Sequence, residues 1–180
     1  MAAKSESTGR PLSKSGGDRL RSPHGTINKL SDVDAAYIAG LIDADGTVTV
    51  SGRDAPSPMV LVVNGNMPLI RWLLSTIGGG CAYETKTRPT RPDQNDAHWN
   101  AVHRFQITGL KAVALLEQVS RFMKVKHRQA SLVMSVPMRG RDFPLSATAE
   151  QRARSFLVRD EIRALNQRGK KGEHQMSLVM

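Results

Sequence analysis

A single cysteine, Cys81, in 180 residues leaves no partner for an intramolecular disulfide and makes a cysteine-rich zinc site an unpromising reading. The five histidines show no H-x-E-x-C or similar spacing, so a zinc nuclease is not suggested. Aromatic residues make up only 4% of the chain. Its two tryptophans, Trp72 and Trp99, read as packing residues rather than platforms for stacked bases. No stretch approaches the roughly 18 apolar residues of a membrane span, so no membrane partner is expected. The first 25 residues lack the apolar core of a secretory signal. They are rich in Ser and basic residues, which leaves an organelle transit segment open. An intracellular protein is expected, with organelle and nucleus both open.

Acidic residues are also scarce. Sixteen Asp and Glu face 26 Lys and Arg, a net charge of +10 that favours a polyanionic partner. Much of this sits at the ends. Residues 1–31 and 166–180 together carry nine basic and three acidic side chains, +6 of the +10. Two solvated basic tails would give the same total, so charge supports a nucleic-acid partner without deciding for one.

What the chain does contain is one domain's worth of alternating elements. Residues 1–31 are polar, carry Gly and Ser clusters and show no hydrophobic period, the pattern of a disordered basic tail. A domain is expected over 32–166, and a second basic tail over 167–180. Ser31 or Asp32 caps a helix over about residues 33–44. Gly46 ends it, and TVTVS alternates Val48 and Val50 with Thr47, Thr49 and Ser51. The next strand, MVLVVN (59–64), is apolar at both parities and hides its orientation. A helix starting near Pro68 carries the stripe Leu69, Ile70, Leu73, Leu74 and Ile77, and Gly78 to Gly80 end it. Strands near 81–87 and 100–108 follow. The remainder reads as helix, with Phe156, Leu157 and Leu165 partly on one side of the last. Two hairpins, each entered from a helix, make an α+β fold with helices on one sheet face and a polar, basic face left open.

The stretch YIAGLIDADGTV (37–48) sits oddly in that scheme. Ala36, Gly40 and Ala44 lie four apart on one helix face, although Gly40 costs about 1 kcal/mol there relative to Ala. Asp43 and Asp45 fall at the helix C-terminus, where the macrodipole disfavours negative charge. Small residues on one face let two helix backbones approach closely, so Ala36, Gly40 and Ala44 are the candidate dimer interface. A helix packed on a copy of itself brings two C-terminal carboxylates together, which calls for a cation with oxygen ligands. Asp43 and Asp45, about 200° apart around the helix, cannot share that task. Asp43 is read as structural.

These residues resemble the LAGLIDADG homing endonucleases. Residues 39–46, AGLIDADG, match eight of the nine motif letters, with Ile38 in place of the leading Leu. VVNGNMPLIRWLLSTIGGG and LLEQVSRFMKVKHRQASLVM extend the likeness, which covers roughly residues 33–166. The resemblance implies the αββαββα fold with extra C-terminal helices, a four-stranded antiparallel sheet forming a DNA-binding saddle, and a homodimer, since only one motif is present. It implies cleavage of double-stranded DNA at a long, near-palindromic site, with Mg²⁺ as cofactor, Mn²⁺ substituting and Ca²⁺ supporting binding only. Short 3′ overhangs and a gene carried by an intron are further implications; a small-molecule substrate is not expected.

By position, the resemblance makes Asp45 and the backbone carbonyl of Ala44 metal ligands. It gives Lys126 and Asn64 catalytic roles beside Asp45. A further basic residue of the family aligns near Pro68, and Arg104 is the substitute considered. On the open face, Thr49, Ser51, Arg53, Tyr83, Thr85, Asn100, Arg104 and Gln106 are candidate DNA contacts. Lys86, Arg88 and Arg91 suit phosphates better than bases. Two alternatives stay open: a nucleic-acid-binding protein of the same fold that has lost cleavage, as an intron-RNA maturase or a transcriptional regulator, and a metal-free dimerisation module.

Overall fold

The computed structural model describes residues 20–21, 26–52, 56–85, 102–137 and 148–167. The order is β1 (Leu20–Arg21), α1 (Asp32–Asp45), β2 (Gly46–Ser51), β3 (Ser57–Asn64), α2 (Met67–Ile77), β4 (Cys81–Thr85), β5 (Val102–Thr108), α3 (Leu110–Val119), a 3-10 turn at Ser120–Phe122, α4 (His127–Met134) and α5 (Ala149–Gln167). From α1 to α3 this is αββαββα, with α4 and α5 as the extra C-terminal helices. The sheet runs β1-β4-β5-β3-β2 with every pairing antiparallel, the two-residue β1 forming its edge beside four longer strands.

Each helix boundary has a local cause. Ser31 caps α1 by accepting the Asp34 N–H at 3.1 Å, and Asp32 and Asp34 place negative charge on its positive end. At the other end a Cβ on Gly46 would stand 2.7 Å from the backbone of Ile42, so only glycine lets α1 turn directly into β2. Asn66 caps α2 through the Leu69 N–H, and Gly78, at φ +70°, closes it in the left-handed conformation.

The core lies between the sheet and the helices. Val48, Val50, Val60, Val62, Ala82, Phe105 and Ile107 point inward from the four long strands. Ile38, Ile42, Ile70, Leu73, Ile77, Leu115 and Leu116 meet them from the helices. Trp72 packs edge-on against Tyr37, centroids 5.3 Å apart, in the packing role expected of it; Trp99 lies outside the described residues.

Two expectations differ from the structure. Residues 26–31 are part of the body rather than a tail. The Asn28 N–H donates to the Ile77 carbonyl at 2.8 Å, its amide donates to the Ser75 and Thr76 carbonyls, and Leu30 N–H donates to Gln118 Oε1 at 2.8 Å. Asn28 thereby occupies carbonyls that the end of α2 leaves without helical partners. In α5 the buried positions are Ser155, Val158 and Ile162, at helical spacing, whereas Leu157 is 72% exposed. Val158 and Ile162, not Leu157, are the apolar residues that face the core.

Candidate functional site

The exposed face of α1 is apolar. Ile38, Ala39 and Ile42 are wholly buried, while Val33, Ala36, Tyr37, Gly40 and Ala44 are exposed on the opposite side. Among the described residues, nothing beyond the helix's own neighbouring backbone lies within 4 Å of where a Gly40 Cβ would be. A soluble helix that is apolar on both sides exposes a face suited to burial elsewhere.

At the foot of α1 three sequence-distant groups meet. The Asn64 amide donates to Asp45 Oδ2 at 3.1 Å, and its own oxygen accepts the Asn66 N–H at 2.8 Å. Asn64 is therefore both the turn residue at the end of β3 and a partner of Asp45. Lys126 Nζ donates to the carbonyls of Ile42 and Asp43, the last turn of α1. Burial pushes the Lys126 ammonium below the usual lysine range, opposed by the negative charges of Asp43 and Asp45.

Asp43 has a separate task. Its carboxylate accepts the backbone N–H groups of Lys124, Val125 and Lys126 at 2.6, 3.1 and 2.9 Å. Partial burial alone would raise its pKa, but those three donors and the Lys126 charge together hold it below the ordinary carboxylate value. The charge that is unfavourable at the end of α1 is thus met by three N–H groups of the turn that leads into α4. This carboxylate holds the turn carrying Lys126 against α1.

The donor set around Asp45 is all oxygen: one exposed carboxylate and the carbonyls at the end of α1. Among the described residues no three His, Cys, Asp or Glu side chains are placed to hold a metal ion together. Hard divalent cations suit such oxygens but take six or more of them. One chain therefore fits only as part of a site that a second copy, water or a phosphate completes.

On the sheet face away from the helices stand Thr49, Ser51, Tyr83, Thr85, Arg104 and Gln106, all except Thr85 alternating with a buried neighbour. Tyr83 Oη donates to Gln106 Oε1 at 3.0 Å, and Arg104 Nε is buried with no hydrogen-bond partner among the described residues. Arg104 lies opposite Val63 in the register, on this face rather than among the groups bonded to Asp45. Arg53, Lys86, Arg88, Arg91 and Asn100 lie outside the described residues. Sequence reasoning missed Met59, Leu61 and Val63, the outward positions of β3, because both parities of that strand are apolar.

Comparison with solved structures agrees with this architecture. The homing endonuclease I-CvuI, in complex with the I-CreI target in the presence of Mg, superposes with a TM-score of 0.56 at 18% identity, over 74% of this chain and 82% of that one. The fold is that of the homing endonucleases. I-CvuI with its own target and Ca gives 0.55 at 18% identity and the same coverage. The archaeal intron-encoded I-Vdi141I bound to DNA gives 0.45 at 14%, over 75% of this chain and 98% of that one. The sequence matches no family model and no curated protein.

Proposed function

We propose that the protein is a homodimeric, Mg²⁺-dependent, site-specific DNA endonuclease that hydrolyses one phosphodiester in each strand of a near-palindromic target. The observation that carries this is the meeting of Asp45, Asn64 and Lys126 at the end of a helix whose apolar face is exposed. Pairing two copies through Ala36, Gly40 and Ala44 would set two such ends side by side. The two Asp45 carboxylates, with the Ala44 carbonyls, would then hold Mg²⁺, which when bound supplies Lewis acidity to the attacking and leaving oxygens. Asn64 fixes the Asp45 carboxylate and orients solvent beside it. Lys126, partly shielded from water, places a positive charge where the phosphate develops negative charge. The open sheet face follows the major groove, with Arg104, Gln106 and Thr49 offering hydrogen-bonding groups to base edges. I-CvuI, which shares the fold, was solved on DNA with Mg and with Ca.

The test begins with selection of a target from a random duplex pool in Ca²⁺. The selected duplex is then incubated with the full-length protein in Mg²⁺, Mn²⁺ and Ca²⁺. Double-strand cleavage in Mg²⁺ and Mn²⁺, with binding alone in Ca²⁺, is the expected result. Tight binding without cleavage in any metal would instead identify a binding-only protein of this fold.

A further inference from the structure

The outward side of β3 offers little to a hydrogen-bonding ligand. Met59, Leu61 and Val63 stand there half-buried, in the strand between β2 and β5. The register sets polar groups on both sides. Thr47 and Gln106 flank Leu61, Thr49 and Thr108 flank Met59, and Arg104 lies opposite Val63. An apolar ridge therefore runs along the strand between two rows of hydrogen-bonding side chains. From Met59 to Val63 it spans about 13 Å, close to the rise of four base pairs. Val63 immediately precedes Asn64, so the ridge starts beside the candidate catalytic groups and runs outward from them.

In the major groove the apolar feature that distinguishes one base pair from another is the C5-methyl group of thymine. Resting on the reading of this face as the DNA interface, we propose that Met59, Leu61 and Val63 select thymine, or another 5-methylated pyrimidine, in the part of each half-site nearest the cleavage position. The flanking rows read hydrogen-bonding edges. The ridge reads methyls. Arg104 on the same face, with the hydroxyl and amide groups beside it, complements DNA as the occupant.

The test replaces thymine by deoxyuridine, which removes only the methyl and leaves the hydrogen-bonding edge intact. A target is selected with the full-length protein from a random duplex pool, and affinities are measured with each inner thymine pair changed to uracil. Burying one methyl corresponds to about four-fold in affinity, so a symmetric pair should weaken binding roughly fifteen-fold at one or more inner positions. Leu61→Ser should bring the thymine-to-uracil ratio towards one. Equal affinity for thymine and uracil at every inner position, or a selected site with no inner thymine, overturns the methyl reading while leaving the DNA interface standing. Failure to enrich any duplex overturns both.

Discussion

Replacing Asp43 by Ala tests whether this carboxylate, rather than Asp45, is the structural member of the pair. The substitution removes the acceptor of three backbone N–H groups in the turn just before α4. Each hydrogen bond to a charged group is worth about 1.5–3 kcal/mol when fully enclosed. Asp43 is only half-buried, so water can reach the released donors, and a loss of about 2 kcal/mol, near that of a single charged hydrogen bond, is the better guide. Alanine recovers about 0.7 kcal/mol through better helix propensity and relief at the end of α1. The net loss is about 1–1.5 kcal/mol, a fall in Tm of roughly 2–6 °C for a chain of this size. The pH dependence has a definite sign. Because the folded-state pKa is depressed, this contribution is fully present above the unfolded value of about 4 and is lost as pH falls through the folded value. Urea denaturation of wild type and Asp43→Ala between pH 7 and pH 3 should show the gap narrowing in acid. A gap that stays constant to pH 3, or no gap at pH 7, would refute the role of this carboxylate in holding the turn.

Two further outcomes follow from the exposed faces. Gly40→Arg places a charge on the exposed α1 face, where an added Cβ meets no other element within 4 Å, so on the proposed dimer it should fold yet sediment as a monomer; a variant with the same sedimentation as wild type would remove this face from the interface. Cys81 lies on the open sheet face, opposite Gln106, so a bound target duplex should slow its alkylation severalfold in mass-spectrometric labelling. Labelling at the same rate with and without saturating DNA would place the DNA elsewhere.

Where a strand alternated, the sequence revealed which way it faced. Val48 and Val50 against Thr49 and Ser51, and Phe105 and Ile107 against Arg104 and Gln106, set the inward and outward sides of β2 and β5. In β3 both parities are apolar, so hydropathy could not tell Val60 and Val62 from Met59 and Leu61; pairing on both edges decides it. The compensation for Asp43 was equally hidden, since its three donors lie 81 to 83 residues away and are backbone N–H groups that any residue supplies. Asn28 escaped notice for the same reason, its partners being carbonyls at the end of α2. In α5, Phe156, Leu157 and Leu165 were expected partly on one side, but Val158 and Ile162 are the buried apolar residues of a helix that packs against β2 and α4. The nearness of Asp45, Asn64 and Lys126 was expected from the motif resemblance, and the distances came from the fold.

Single-turnover cleavage of the selected duplex by wild type and Asp45→Asn, with affinities measured in Ca²⁺, tests the central claim most directly. The account predicts cleavage by wild type in Mg²⁺ and loss of rate on the order of 10³-fold in Asp45→Asn, with DNA affinity nearly unchanged. Cleavage by Asp45→Asn at the wild-type rate would contradict it.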